Sequence, residues 1–278
     1  MIHPILALTL VALLQSATLG AQTTDPPPAS PTLNAPIVTH DTFTVISKAI
    51  GEPRPINVHV PKGYATSKAK FPVLYMPDGA LDEDFPHVVV TVDSLIALGV
   101  VRPFIVVGIP NTVRRRDLTG PTRVKSDSAI APAVGGSAKF RTFVRDELFP
   151  VISKKYRVTG ERAIVGESLA GLFILETFFV DPSMFDHYVA LDASLWWNDG
   201  LLVDSAAEHL KQFNSKPRTL YFASSDVKEM IVANAKLNST FQAMKPRGLT
   251  WQYVPRGDLT HATIFAKLGG AAIASELK

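Results

Sequence analysis

The stretch from Arg162 to Glu176, Arg162-Ala-Ile-Val-Gly-Glu-Ser-Leu-Ala-Gly-Leu-Phe-Ile-Leu-Glu176, limits what this chain can fold into more than any other. Ala163 to Val165 are apolar and partly β-branched, the pattern of a buried strand. Leu172, Phe173, Leu175 and Phe178 then recur at helical spacing. Between them lies Gly166-Glu-Ser-Leu-Ala-Gly171. A strand that enters a helix through small-x-Ser-x-small needs a sharp turn, and small flanking residues let the two backbones approach. Such a turn lifts the Ser168 hydroxyl above the sheet edge. It also sets the Leu169 N–H at a helix N-terminus, where an oxyanion meets positive partial charge. The bland reading of the same residues is a buried serine on an ordinary turn, so the rest of the chain has to decide.

The flanking sequence supplies more strands of the same kind. Phe71 to Pro77 and Pro103 to Pro110 are continuous apolar runs, as parallel strands covered on both faces require. Phe185 to Leu191, Arg218 to Ser225 and Thr250 to Val254 add three more, whereas Thr42 to Ser47 and Pro55 to Val60 alternate like half-buried antiparallel strands. Amphipathic stretches separate them: Val88 to Leu98, Ala138 to Tyr156 with Pro150 bending it, Lys228 to Met244, and a closing helix from Ile264 to Leu277. The expectation is an α/β fold, a central mostly parallel sheet with helices on both faces.

Three chemistry-bearing residues each follow a strand: Ser168, Asp226 and, in a loop after the last strand, His261. Sheets of this type bind ligands at the edge where such residues converge. A serine hydroxyl becomes a nucleophile once an imidazole takes its proton, and the imidazole needs a carboxylate to fix its tautomer. Asp226 leads for that carboxylate because its route from the strand is short, with Glu229 as the alternative; Asp258 reads as a turn residue. Asp78-Gly79 ends another strand, which makes the Ala80 N–H the expected second oxyanion donor, although Asp-Gly is also a common turn. Trp196 and Trp197 lie beyond the Phe185–Leu191 strand, and that position favours one of them, Trp197, as a pocket wall. Arg114 and Arg116 sit in a long polar loop, Asn111 to Ser137. They are either substrate contacts for an anionic group or a solvated charge run with an internal Arg–Asp pair.

The ends and the totals bound the rest. An apolar run, Ile5 to Leu14, with small residues after it predicts a signal peptide over residues 1–21, and hence secretion or a periplasmic location; no stable membrane insertion is expected once it is cleaved. Residues 22–37 are rich in Pro, Thr, Ala and Ser and read as a tether, with the folded domain over 38–278. The 278 residues include no cysteine, which excludes a disulfide, a thiolate nucleophile and cysteine-ligated zinc. A net charge of +3 is too mild to argue for nucleic acid. No phosphate loop or H-E-x-x-H stretch is present, so neither a nucleotide cofactor nor a hydrolytic zinc or other metal is expected from motifs.

At these residues the chain resembles the putative-esterase family of α/β-hydrolases, the branch with siderophore esterases and esterase D relatives. The matching stretches include Phe71-Pro-Val-Leu-Tyr75 with Asp78-Gly79, and Val107-Gly-Ile-Pro-Asn-Thr112 with Arg114 and Arg116-Asp-Leu-Thr119. They continue through Glu147-Leu-Phe-Pro150, Gly166-Glu-Ser-Leu-Ala-Gly-Leu-Phe173, Ser194-Leu-Trp-Trp197 and His261. The resemblance implies Ser168 as nucleophile, His261 as base, and hydrolysis of a small-molecule ester without a cofactor. Carbohydrate or feruloyl esters are the alternative substrates, and a catalytically silent binding protein is the alternative of another class. Two departures stand out: Ala170-Gly171 replaces the family's Gly-Gly, and His261-Ala-Thr263 replaces its His-Gly-Ser.

Overall fold

A run of buried apolar residues with β-branched members forms the spine of the molecule. In the computed structural model, which describes residues 35–131, 133–211, 213 and 216–278, eight strands make one sheet. They are β1 (Asp41–Ile46), β2 (Pro53–His59), β3 (Phe71–Pro77), β4 (Ile105–Ile109), β5 (Val158–Glu167), β6 (His187–Leu191), β7 (Arg218–Ser224) and β8 (Leu249–Pro255). Their order is β1-β2-β4-β3-β5-β6-β7-β8. β1–β2 and β2–β4 pair antiparallel, and every other pair is parallel. β3 and β4 are buried at every residue, which is why they show no alternation in sequence.

The helices are α1 (Phe85–Ala97), α2 (Arg114–Leu118), α3 (Lys125–Ala129), α4 (Ser137–Thr142), α5 (Phe149–Lys155), α6 (Leu169–Val180), α7 (Leu201–Asp204), α8 (Ala206–Lys211), α9 (Lys228–Met244) and α10 (His261–Glu276). Two apolar cores lie on opposite faces of the sheet. One gathers Phe173, Phe178, Phe185, Phe222 and Phe241, including side chains from α6 and α9. The other holds Val88, Val92, Ile264 and Leu268, from α1 and α10. α6 is apolar all round because it is covered by the sheet on one side and by neighbouring helices on the other.

Between α4 and α5 the chain stays helical but passes through a π-type segment, Phe143–Leu148. Pro150 lacks an N–H and its ring crowds the preceding turn, so the wider register relieves what the sequence predicts as a bend. The loop expected over Asn111 to Ser137 contains the short helices α2 and α3. His261 is not in a loop but is the first residue of α10. The described residues all belong to one compact unit. The predicted signal peptide and all but the last three residues of the predicted tether lie outside the described residues. Among the described residues, no helix is long and apolar enough to cross a membrane.

Candidate active site

The parallel strands end at a common edge, and three residues there carry positive φ although none is glycine. Asp78 (φ 56°) follows β3, Ser168 (φ 59°) follows β5 and Asp192 (φ 44°) follows β6. Left-handed backbone at a non-glycine residue costs about 1–3 kcal/mol and persists only where the surroundings enforce it. At Ser168 the enforcement is visible. Its N–H donates to the Leu191 carbonyl at 3.1 Å, and its carbonyl accepts the N–H groups of Leu172 at 2.9 Å and Ser194 at 3.0 Å.

The elbow also explains its own alanine. A Cβ built on Gly166 would lie 2.6 Å from the Ala170 Cβ, so the strand glycine leaves the space that the helix alanine fills. Gly171 faces Ala193, where a Cβ would come within 3.0 Å of the Ala193 Cα. Small residues are thus needed at 166 and 171, and position 170 tolerates one methyl group. Ser168 is buried, and its Oγ lies 3.4 Å from Ser194 Oγ.

The histidine finds a different carboxylate from the one the sequence favours. His261 Nδ1 is 2.5 Å from Asp192 Oδ2, and Asp192 is fully buried. The other Asp192 oxygen, Oδ1, accepts the Ser225 N–H at 2.7 Å. Asp226 is exposed, and so is Glu229 on α9. Asp226 contributes through its backbone instead: its N–H donates to the Leu259 carbonyl at 2.8 Å and ties the segment before α10 to the end of β7. The physical reason lies in strand order. β6 pairs directly with β5, and the register Glu167↔Leu191 makes Ser168 and Asp192 emerge side by side. β7 is one strand further out, and Asp226 lies two residues beyond its end. Both aspartates follow strands, and the signal that separates them is adjacency to the serine's strand.

α10 presents His261 through a capped start. The Thr260 N–H donates to Thr263 Oγ1 at 3.0 Å, completing a capping box. That assigns a local task to the threonine in His261-Ala-Thr263. An imidazole whose Nδ1–H is held by a carboxylate keeps Nε2 for accepting a proton.

The remaining expected residues fare unevenly. Leu169 opens α6, and an N–H there has no partner within its own helix. The Ala80 N–H donates to Glu83 Oε2 at 2.8 Å, so a carboxylate already holds the expected second oxyanion donor. Trp197 is buried and its Nε1–H donates to the Gly120 carbonyl at 2.9 Å, so it packs the loop instead of walling a pocket; its neighbour Trp196 is only half-buried. Arg114 grips Asp78 with two bonds of 2.7 and 2.8 Å. Arg116 bonds to Glu52 (2.7 and 3.0 Å) and Asp117 (2.7 Å), which gives it a scaffold role.

Carboxyl groups crowd this edge. Burial pushes Glu167 up to about 8, against the pull of His261 and with help from Asp84, Asp192 and Asp78. Burial likewise pushes Asp84 up to about 6, with Asp78 and Glu83 adding to it and Arg114 opposing. Glu83 is raised as well, chiefly by burial. Among the described residues, no group of three or more His, Cys, Asp or Glu side chains is arranged to hold a metal ion.

Comparison with known proteins bears on the fold and the family. Ferri-bacillibactin esterase BesA of Bacillus subtilis is 29% identical over 142 residues, a match covering 46% of this chain and 49% of the relative. The match thus spans about half the length of that relative. An IroE-like serine hydrolase from Shewanella oneidensis superposes with a TM-score of 0.79 at 24% identity, over 85% of this chain and 79% of that one. The BES protein from Bacillus cereus superposes with a TM-score of 0.75 at 22% identity, over 86% and 97%. These likenesses show the α/β-hydrolase fold. The model of the "Putative esterase" family matches residues 47–247, most of the described chain, and the protein belongs to that family.

Proposed function

We propose that the protein is a serine esterase acting through an acyl-enzyme. The observation that carries this reading is the 2.5 Å contact between His261 and Asp192, whose strand lies beside that of the strained Ser168. In the first step Ser168 Oγ bonds to the ester carbonyl carbon while His261 Nε2 takes the hydroxyl proton. Asp192 holds the imidazole in the tautomer that leaves Nε2 free of a proton and stabilises the cation that forms. The Leu169 N–H, at the start of α6, supplies an oxyanion donor, and the Ala80 N–H supplies another once the Glu83 carboxylate leaves it. The tetrahedral intermediate collapses, the C–O bond to the alcohol breaks, and His261 returns the proton to the leaving oxygen. Water then attacks the acyl-enzyme by the same route and frees Ser168.

The proposed substrate is a small siderophore-type ester, met outside the cytoplasm after export by the N-terminal segment. The name of the family supports ester hydrolysis, and that of the relative from Bacillus subtilis supports an ester of that class. Hydrolysis of short p-nitrophenyl esters by wild type and Ser168→Ala, with folding checked by circular dichroism, tests the reaction. Loss of about 10³-fold or more in kcat/KM is expected for the variant. Wild-type turnover in Ser168→Ala would overturn the reading. Chromatography of a ferric siderophore ester before and after exposure to the active enzyme then tests the substrate class.

A further inference from the structure

The site contains a second carboxyl group that the proposed reaction does not use. Glu167 is the last residue of β5 and immediately precedes Ser168. Its Oε1 lies 3.8 Å from His261 Nδ1, the same nitrogen that Asp192 Oδ2 holds at 2.5 Å. One imidazole N–H therefore faces two carboxyl groups, one bonded and one just beyond bonding distance. Both are largely sheltered: the Asp192 side chain is fully buried and that of Glu167 is 18% exposed.

We propose that Glu167 is a positioning residue that acts through His261, a standby carboxyl that competes with Asp192 for the imidazole N–H. The inference rests on the esterase reading only for its catalytic consequence; the contact with His261 stands without it. The groups that act on Glu167 come from four elements. His261 comes from α10, Asp192 from the loop after β6, Asp78 from the loop after β3, with Arg114 upon it, and Asp84 from the residue before α1. His261 favours the charged form, and the three aspartates oppose a further negative charge. With burial they hold Glu167 neutral into the physiological range, and ionisation comes at about 8. Below that pH Glu167 adds no charge beside His261. Above it Glu167 ionises and two carboxylates attract one N–H, so the imidazole is pulled between them.

The arrangement also gives Glu167 a reserve role. When Asp192 is truncated, the ionised Glu167 needs to advance only about 1 Å to reach hydrogen-bond distance of Nδ1. The rescue depends on pH, since only the carboxylate form can accept the Nδ1–H.

Two measurements test this. The first is an NMR pH titration of the His261 imidazole in wild type and Glu167→Gln, which needs no turnover. A titration step near pH 8 is expected in wild type and absent from the variant; superimposable curves overturn the proposal. The second compares kcat/KM of Asp192→Ala with that of Asp192→Ala/Glu167→Gln between pH 5 and 9. The single variant is expected to gain about tenfold as Glu167 ionises, with a midpoint below the wild-type value because the Asp192 charge that raises it is gone, and the double variant is expected to lack that step. Equal pH dependence in the two overturns the proposal. If wild type shows no Ser168-dependent hydrolysis, the esterase reading fails, while the His261 titration still decides the role of Glu167.

Discussion

Two clusters of carboxylates flank the same sheet, and their charges are handled in opposite ways. Beside β2, Glu52 and Asp117 are met by Arg54 and Arg116. Arg54 Nη1 reaches Glu52 at 2.9 Å and Asp117 at 2.5 Å, and Arg116 bonds to both acids. Arg54 is wholly buried, with its guanidinium over the rings of Phe140 and Phe143. At the edge that holds Ser168, the carboxyls of Asp78, Glu83, Asp84, Glu167 and Asp192 share Arg114 and His261 as their cations. The outcome shows in two glutamates. Hydrogen bonding from Arg116 outweighs burial and holds Glu52 down to about 2, whereas burial and like charges push Glu167 up to about 8. Burial is the largest influence on Glu167, whereas at Glu52 the hydrogen bonds from Arg116 come first, so burial and the supply of cations together set the direction. The balanced cluster pins the loop after β4 to β2, with Arg54 also donating to the Pro110 carbonyl at 3.2 Å. The unbalanced one keeps protonatable groups beside the serine, an arrangement typical of sites that move protons.

The largest expected effect separates the two aspartates that follow β6 and β7. Asp192→Asn removes the acceptor that fixes the His261 tautomer and should lower kcat/KM by about 10⁴-fold, on the order of 5 kcal/mol. Asp226→Asn should change it by less than about threefold, because its backbone bond to Leu259 survives the substitution. Steady-state kinetics on one p-nitrophenyl ester checks both. Comparable losses in the two variants would refute the assignment of Asp192.

That pair of residues also shows how far a sequence can be read. The strand-turn-helix around Ser168 is legible because the turn imposes a local pattern, and the apolar runs of β3 to β7 are legible because buried parallel strands have no polar face. The choice between Asp192 and Asp226 depends on which strand lies beside β5, a non-local fact that residue spacing does not encode. Chain order and loop length are satisfied by either aspartate. Arg114 and Arg116 mislead for a related reason. A cluster of arginines in a loop looks like an anion site until the carboxylates that neutralise it, Asp78 and Glu52, arrive from distant positions. Glu83 on the Ala80 N–H is of the same kind, but local: the turn at residues 80–83 closes its own donor.

The next effect is on stability and comes from the balanced cluster. Arg54→Met keeps much of the side-chain volume against Phe140 and Phe143 but leaves Asp117, itself almost fully buried, with Arg116 as its remaining cation. Breaking a buried ion pair by removing one partner costs about 3–5 kcal/mol. Urea denaturation should show that loss. Arg114→Met, whose pair with Asp78 is partly exposed, should cost less, about 1 kcal/mol. A larger loss for Arg114→Met would mean that the two clusters are not distinguished by charge balance.

The smallest effect is the sharpest, because it is a difference in sign. Glu52 titrates lower in the folded state than in the unfolded chain, about 2 against 4.5. Its stabilisation is fully present above pH 4.5 and disappears as pH falls towards 2. Glu52→Gln should therefore lower the melting temperature at pH 7, by an amount worth about 1 kcal/mol after allowing for its partial exposure, and leave it unchanged near pH 2. Glu167 runs the other way, about 8 folded against 4.5 unfolded. Between those values the folded state holds the extra proton, so its contribution to stability falls as pH rises and is lowest above pH 8. Glu167→Gln should raise the melting temperature at pH 9, by on the order of 1–2 kcal/mol, and match wild type near pH 4. Calorimetry of both variants from pH 3 to 9 checks the pair. Shifts of the same sign would mean that burial alone governs both glutamates, and the contrast between the scaffold cluster and the one beside Ser168 would collapse.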